Sequence, residues 1–265
     1  MNATSRLMTA VAITLSTAVL IGCGGGGGGS GASTTPGEAQ GVYTGSFSTP
    51  AFPAGKFSTL VLDNDEIWTL YGVEGAGGEL LVYGLIQGQG ASSSGSFAVA
   101  SLKDYYYDGT SASGTLSARY QVGSTFNGTV SANGQSVSFS GVVPAAGSTN
   151  YSYSTAANLS DVSGVWSGTS MSGVTSSYTI SSSGTFSGTN QYGCGFSGTV
   201  TPRASGKNVF DVTLTNNTSN ACGAASGLTG RGIAVSSVLG SGRRQLIVAV
   251  VTNDRLYGSA IFATR

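Results

Sequence analysis

The chain has 265 residues, of which only 8% are charged, and its 11 basic and 11 acidic residues balance to a net charge of zero. Glycine accounts for 43 residues, and histidine is absent. The lack of histidine excludes Ser-His-Asp and Cys-His catalysis, and the recurring Val, Ile, Leu, Phe and Tyr residues exclude a disordered chain.

The N-terminal residues 1–22 are typical of an export signal. One basic residue, Arg6, precedes an uncharged, largely apolar segment that is shorter than the roughly 20 apolar residues of a membrane span. The segment ends in Leu20-Ile21-Gly22-Cys23, which resembles the lipobox of bacterial lipoproteins. The resemblance implies cleavage before Cys23 and attachment of lipid to that cysteine. An ordinary signal peptide with an incidental cysteine is the alternative.

Residues 23–40 are predicted to be a tether, because six consecutive glycines and a run of small residues offer no side chains that could pack. In lipoproteins of the enteric type, an aspartate after the lipidated cysteine retains the protein at the inner membrane. Position 24 is Gly24, so the resemblance implies a lipid anchor in the outer membrane, with the body on the cell surface or in the periplasm. Nucleic acid is not expected as a partner at this location.

The rest of the chain is predicted to be all-β, because short apolar runs are separated by turn residues and no window sustains a helical period. Gly41-Val42-Tyr43-Thr44-Gly45 recurs as Gly164-Val165-Trp166-Ser167-Gly168. Each copy opens eight predicted strands. They lie near 41–48, 57–63, 66–72, 79–88, 95–103, 114–121, 125–131 and 135–143, and near 164–171, 174–181, 184–189, 194–201, 207–216, 226–236, 243–252 and 255–264.

We therefore expect two tandem small antiparallel barrels or closed sandwiches, in residues 41–150 and 151–265. Many of the predicted strands contain glycine, which weakens an open sheet but lets a small closed sheet coil tightly. Closure also removes exposed sheet edges. The junction near residues 144–163 contains Tyr151, Tyr153 and Leu159, which predict that it packs on a domain.

The predicted layout consists of a lipidated cysteine, a glycine-rich tether and Gly-aromatic-x-Gly strands in eight-stranded units. It resembles the two-domain surface lipoproteins of Gram-negative bacteria, such as factor H-binding protein and transferrin-binding protein B. The body is also similar to proteobacterial lipoproteins of uncharacterised function. The ligand-binding residues of these families cannot be matched in this sequence, so the resemblance implies no partner.

The two halves differ in charge. Residues 41–150 have a net charge of −4 and residues 164–265 a net charge of +5. Such asymmetry can steer a charged partner, but we interpret it as two solvated surfaces. After lipidation of Cys23, Cys194 and Cys222 remain as an even pair in an oxidising compartment and predict a structural disulfide.

Two clusters could carry chemistry. Asp63-Asn64-Asp65-Glu66 could bind calcium or supply paired carboxylates, but it lacks the glycine and distal glutamate of an EF-hand loop and fits a hairpin turn better. We expect no metal and no cofactor. Tyr105-Tyr106-Tyr107 is the best candidate for a binding patch, because alternation along a strand brings at least one ring near solvent. Capping of a barrel mouth by these rings is the alternative.

These features favour a non-enzymatic, lipid-anchored envelope protein that binds a macromolecule, either a protein or a glycan, or serves structurally. One alternative is a lipocalin-like carrier that holds a small apolar ligand inside a barrel, which would require small inward residues. A carboxylate-based hydrolase is a further alternative. An integral outer-membrane barrel is disfavoured by the short strands and by the terminal Arg265.

Overall fold

A computed structural model describes residues 37–76, 79–145 and 151–265. The predicted signal peptide, the lipid attachment at Cys23 and most of the predicted tether lie outside these residues. The described residues form 17 β-strands and two short 3₁₀ helices, Leu159–Asp161 and Asn220–Ala225. None of the described helices is long and apolar enough to cross a membrane.

The strands fall into two sequential groups. The first group consists of β1 (Gly41–Phe47), β2 (Gly55–Val61), β3 (Glu66–Glu74), β4 (Leu80–Gln89), β5 (Ala91–Ser93), β6 (Ser96–Tyr106), β7 (Ser111–Gln121), β8 (Thr125–Ala132) and β9 (Gln135–Val142). The second group consists of β10 (Gly164–Ser170), β11 (Thr175–Ile180), β12 (Thr185–Asn190), β13 (Gly195–Pro202), β14 (Phe210–Asn216), β15 (Thr229–Val238), β16 (Arg244–Thr252) and β17 (Gly258–Thr264).

Each group closes into an eight-stranded antiparallel barrel. In the first barrel β1 pairs with β9 and β4 pairs with β6, while the three-residue β5 adds only to the start of β6. In the second barrel β10 pairs with β17 and each strand pairs with the next. The predicted all-β class with two small closed units of eight strands is confirmed.

The repeated motif places an aromatic ring at the start of each barrel. Tyr43 and Trp166 point inward and are fully buried. The Tyr43 hydroxyl donates to the carbonyl of Ala39 at 3.0 Å, and Trp166 Nε1 donates to the carbonyl of Val162 at 2.6 Å. Ala39 and Val162 are themselves fully buried. In each barrel this hydrogen bond therefore fixes the segment just before the first strand, which crosses the end of the barrel.

The glycines of the motif explain why its spacing recurs. Gly41 has φ 152° and Gly164 has φ 123°, a region that side chains rarely adopt and that turns the chain into the first strand. Gly45 and Gly168 face the last strand of their barrels. A methyl group at Gly45 would overlap the carbonyl of Ser140, and one at Gly168 would crowd Ala263. The second glycine of each copy therefore lets the first and last strands meet.

Both barrels are filled by side chains that point inward along their strands. The fully or nearly fully buried residues of the first interior include Tyr43, Val61, Ile67, Ile86, Phe97, Val99, Leu102, Leu116, Tyr120 and Phe126. Those of the second include Trp166, Tyr178, Ile180, Phe186, Phe196, Val200, Phe210, Val212, Leu246 and Val248. Aromatic and branched residues thus occupy the space that a small-ligand carrier would need.

A β-bulge in β6 reverses which side chains point inward. Val99 pairs with Leu116 and Leu102 pairs with Gly114, so three steps along β6 match two along β7. An extra residue in one strand shifts every later side chain to the other face. Asp104 and Tyr106 therefore point into the barrel.

The outer walls of the two barrels pack against each other through a third apolar cluster. The buried residues from the first barrel are Leu60, Leu62, Trp68, Leu85 and Tyr105. Those from the second are Val209, Ile233, Ala249, Val251 and Ala260. The apolar run in β16 serves both cores, because Leu246 and Val248 face the second interior while Ala249 and Val251 face the first barrel. This strand is therefore buried on both faces.

Ion pairs cross the same contact. Arg203 Nε pairs with Asp63, and Arg231 Nη1 lies 2.8 Å from Glu66 Oε1, whose side chain is 7% exposed. The interpretation of the charge asymmetry as two solvated surfaces was therefore wrong in part. Acidic residues of the first half and basic residues of the second meet where the barrels join, which the charge pattern alone could not reveal.

The second barrel is further secured by covalent and junction contacts. Cys194 and Cys222 form the predicted disulfide, which ties the segment between β14 and β15 to the start of β13. In the junction, the Tyr151 hydroxyl donates to the carbonyl of Asn208 at 2.6 Å, and Leu159 packs on the second core. The prediction that the junction packs on a domain is confirmed for residues 151–163.

Candidate functional site

The two ends of the first barrel differ. Residues 37–40 reach the barrel at one end, where Ala39 is buried and Gly37 N donates to the carbonyl of Asp63. Because neighbouring strands are antiparallel, the β1–β2, β3–β4, β6–β7 and β8–β9 turns all lie at the opposite end. We call this opposite end the aromatic end, after the residues found there.

Five rings form a connected aromatic cluster at this end, made of Phe47, Phe52, Tyr71, Tyr83 and Tyr107. Phe47 and Phe52 each contact Tyr71, with ring centroids 6.0 Å and 6.3 Å apart, and both contacts are edge-to-face. Phe52 contacts Tyr83 at 5.6 Å, and Tyr83 contacts Tyr107 at 5.5 Å. Such geometry lets the edge of one ring meet the face of the next. Tyr83 and Tyr107 are 36% and 50% exposed, so the cluster reaches solvent.

The sequence builds this cluster from strand ends and one turn. Phe47 is the last residue of β1, and Phe52 lies in the following turn, where Phe52 and Thr49 exchange two backbone hydrogen bonds. Gly84 stands opposite Tyr71 across β3 and β4. Because a side chain at Gly84 would overlap the Tyr71 ring, this glycine provides the space in which the ring turns into the barrel.

A buried carboxylate lies beneath the cluster. Asp104 is 7% exposed, and its Oδ1 accepts a hydrogen bond from the Tyr71 hydroxyl at 2.8 Å. The Tyr106 hydroxyl also bonds to this carboxylate. Among the residues that the structure describes, no lysine or arginine forms an ion pair with Asp104. The site thus holds an acid that is stabilised by two phenols but has no counter-charge.

Burial governs the protonation of these groups. It raises the pKa of Asp104 to about 6, and the hydrogen bonds from Tyr71 and Tyr106 act in the opposite direction. Burial also raises the pKa of Tyr106 to about 12 and that of Tyr71 further still, and the nearby Asp104 charge adds to both shifts. Near neutral pH the phenols therefore stay protonated, and each donates a hydrogen bond to the carboxylate.

A surface cleft of about 500 Å³ lies beside the cluster, between β1, β2 and β9. Phe47 and Phe139, which stand opposite each other across β1 and β9, provide its apolar surface. Ser46, Ser138 and Ser140 supply hydroxyls. Lys56, which also lines the cleft, lies 3.3 Å from Glu74 in an exposed ion pair. Aromatic rings, hydroxyls and charges thus occur together at the aromatic end.

The three predicted tyrosines have separate positions. Tyr105 is 2% exposed in the contact between the barrels, where its hydroxyl donates to the carbonyl of Arg255 at 3.1 Å. Tyr106 points inward to Asp104, and Tyr107 is exposed in the aromatic cluster. The expectation of at least one exposed ring is confirmed, while binding by this patch stays a prediction. Phe47, Phe52 and Tyr83 were missed, because only the fold brings them to Tyr107.

The acidic segment after β2 forms a turn, as expected. Asp65 has φ 63°, and Asn64 Oδ1 accepts from the backbone of Glu66 at 3.2 Å. Its acids have other partners: Asp63 pairs with Arg203, Asp65 accepts from Ser92, and Glu66 pairs with Arg231. Within the described ranges, no three Cys, Asp or Glu side chains are grouped to hold a metal ion.

The second barrel has a cleft of similar size, about 490 Å³, across β10, β11, β12 and β17. Its lining is neutral and consists mainly of Ser, Thr, Asn and Gln side chains. Gln191 Oε1 already accepts from the backbone and the hydroxyl of Thr175, at 3.2 Å and 2.8 Å. With internal bonds of this kind and no charged side chain, this cleft is a weaker candidate than the aromatic end.

No protein-family description matches the sequence, and no curated protein is detectably similar to it. Among solved structures, the chain is similar to isotype 1 transferrin binding protein B from serogroup B Neisseria meningitidis, with 13% identity and a TM-score of 0.25. This match covers 84% of the chain and 51% of that structure, so the chain spans about half of its length. The chain is also similar to a protein of unknown function from the DUF3598 family of Nostoc punctiforme, with 11% identity, a TM-score of 0.25, and coverage of 86% and 95% of the two chains.

Proposed function

We propose that the chain is a lipid-anchored protein of the outer membrane whose body binds a macromolecule, without catalysis, through the aromatic end of the first barrel. The observation that carries this proposal is the aromatic cluster, in which Tyr83 and Tyr107 remain exposed although three further rings pack behind them. Tyrosines held in place by their neighbours lose little entropy on binding and are common contact residues.

The place where residues 37–40 enter the first barrel also favours the aromatic end as the contact surface. Residues 37–40 reach the first barrel at the end opposite the aromatic cluster. The aromatic end is therefore not the end at which residues 37–40 enter the barrel, and a macromolecule can approach it.

The interior of the barrels argues against the carrier alternative. Large rings such as Tyr43, Phe97 and Phe126 in the first barrel, and Trp166 and Phe210 in the second, occupy the inward positions. A carrier needs an apolar cavity of a few hundred Å³ enclosed by the barrel. We therefore favour a surface contact over an enclosed ligand.

A site-specific cross-linking experiment tests the proposal. A photoreactive phenylalanine analogue replaces Tyr107 in cells that make the full chain, and the matched control replaces Tyr192, which is 65% exposed on the second barrel. We expect a discrete high-mass adduct from position 107 and none from position 192. An absence of adducts at position 107, or equal adducts at both positions, would contradict binding at the aromatic end.

Two measurements test the location. Radiolabelled palmitate should appear on the full chain and disappear in a Cys23→Ser variant. Protease added to intact cells should remove the body if it faces outward and leave it whole if it faces the periplasm. Failure of palmitate labelling would overturn the anchor.

A further inference from the structure

The carboxylate of Asp104 is the unusual feature of the aromatic end, because it is buried without a cation. Ionised side chains are costly to bury unless they are paired or fully hydrogen-bonded. Here two phenols supply hydrogen bonds, but neither carries a positive charge. The negative charge is in contact with the Tyr71 side chain, and the Tyr71 ring contacts Phe47 and Phe52.

The rings of the aromatic cluster are suited to a cation. An aromatic face carries partial negative charge and attracts ammonium and guanidinium groups. A tyrosine hydroxyl that donates to a carboxylate is polarised by it, which shifts electron density into the ring. Tyr71 is in this state, and its ring contacts Phe47 and Phe52. The buried acid thereby strengthens the attraction of the cluster for positive charge.

Acidic side chains outnumber basic ones around the cluster. Asp108 is exposed in the turn after Tyr107, and Glu74 ends β3 at this end of the barrel. Lys56 is balanced by its ion pair with Glu74. Lys103 precedes Asp104 in β6 and so points to the outer face, away from the carboxylate.

The second barrel shows what is missing from the first. There the guanidinium of Arg265 lies over the Trp166 ring, 4.5 Å from its centroid, and Lys207 lies over Tyr153 at 5.6 Å. In the described parts of the chain, no cation of its own lies over any ring of the aromatic cluster. The exposed faces of this cluster are therefore available to a cation from another molecule.

We propose that the aromatic end receives an arginine or lysine side chain from a protein partner, with the cation over the rings of the cluster and within the field of Asp104. This inference rests on the proposed function, for which it names the chemistry of the partner. Negative charge together with exposed aromatic faces is complementary to a basic protein segment. A neutral glycan would use the rings but would gain nothing from the carboxylate.

Peptide titration monitored by amide NMR tests the inference on the full chain. The probes are a capped tripeptide with a central arginine and the same tripeptide with citrulline, a neutral side chain of nearly the same shape. We expect the arginine peptide to bind about tenfold more tightly and to shift the amide signals of Tyr83 and Tyr107. Equal affinity for the two peptides would overturn the inference, as would stronger binding of a neutral oligosaccharide at the same residues.

Variants separate the cluster from general electrostatics. Tyr107→Ala should weaken arginine-peptide binding about tenfold, and Asp104→Asn should weaken it several-fold while the citrulline peptide is unaffected. The matched control, Tyr192→Ala, should leave binding unchanged. Near-ultraviolet circular dichroism checks that each variant is folded. If Tyr192→Ala weakens binding as much as Tyr107→Ala, the cation does not bind at the cluster.

The two proposals fail in different ways. If the arginine and citrulline peptides bind equally while the cross-link at position 107 is intact, the proposed cation binding is overturned and the proposed contact surface stands. Loss of the cross-link at position 107, with arginine-specific shifts retained, overturns the macromolecular contact in cells.

Discussion

Tyr43 in the first barrel and Trp166 in the second each donate a hydrogen bond to a carbonyl four residues earlier. Each ring is fully buried, and each is followed two residues later by a glycine that faces the last strand of its barrel. The barrels are therefore closed by the same device. They differ in polar content, since the first interior contains the carboxyl group of Asp104 with its two phenols, whereas among the described residues of the second barrel the neutral Ser236 is the buried polar residue.

The difference extends to how each barrel is held. The second has a disulfide, and Arg265 lies over its Trp166 ring. Among its described residues the first has neither, and it instead places five aromatic rings at one end, with Tyr83 and Tyr107 exposed. Groups that serve binding commonly reduce stability, because they are buried with unbalanced charge or left in contact with water. The comparison suggests that the second barrel provides stability to a first barrel that carries the contact surface.

Replacing the closing rings should have the largest effect and should be similar in both barrels. Tyr43→Ala and Trp166→Ala are each expected to lower the free energy of unfolding by about 4 kcal/mol, because each leaves a cavity and an unpaired carbonyl. Tyr43→Phe keeps the ring and should cost only about 1 kcal/mol. Urea unfolding monitored by far-ultraviolet circular dichroism measures both. A Tyr43→Ala cost below 1 kcal/mol would show that the two barrels are not closed alike.

Removing the disulfide should destabilise the second barrel and leave the first largely unchanged. Cys194→Ser combined with Cys222→Ser is expected to cost about 3.5 kcal/mol, from the entropy of the opened loop. Hydrogen exchange should show the loss of protection in β13 and β14 and little change in β7 and β8. Reduced wild-type protein is the matched control and should behave like the variant. Equal loss of protection in both barrels would mean that they unfold as one unit.

Asp104→Asn should have a smaller effect, which depends on pH. Burial raises the pKa of Asp104 from 3.8 to about 6, so between these values the folded chain binds more protons than the unfolded chain. Its contribution to stability therefore falls as pH rises through this window, by up to about 3 kcal/mol, and stays low above it. The variant should be more stable than wild type at pH 8, with a flatter profile from pH 4 to 7 in urea unfolding.

Asp108→Asn is the matched control for this pH dependence. Hydrogen bonds from Thr110 lower the pKa of the exposed Asp108, so its contribution to stability is present at neutral pH and is lost on acidification. The two variants should therefore change the pH profile in opposite directions. A profile that Asp104→Asn leaves unaltered would show that this carboxylate is not buried in solution.

The strands and their division between two small closed units could be predicted because each strand is short, apolar and bounded by turn residues, and because the glycine-aromatic motif repeats. The disulfide followed from the two cysteines that remain once Cys23 is assigned to the lipid anchor. The candidate site could be predicted less well. Strict alternation from Phe97 and Val99 places Tyr105 inward and Asp104 outward, whereas the bulge before Leu102 reverses both. No local pattern in the sequence marks that extra residue.

The contact between the barrels was also hidden in the sequence. Alternation predicts which side chains leave a barrel, but not which part of its outer wall another domain will cover. Trp68 and Leu85 face the second barrel, although no local pattern distinguishes them from residues of the barrel interior. The charge difference between the halves was visible, yet its meaning depended on the pairing of Asp63 and Glu66 with distant arginines.

Arg255 joins the barrels in part through main-chain atoms of the first. Its guanidinium lies in the turn between β16 and β17 and donates to the carbonyls of Gln87 and Ser101, each at 3.2 Å. Main-chain acceptors persist whatever side chain occupies a position. Evolution could therefore vary the outer residues of the first barrel to follow a changing partner, and this link between the two halves would survive each change.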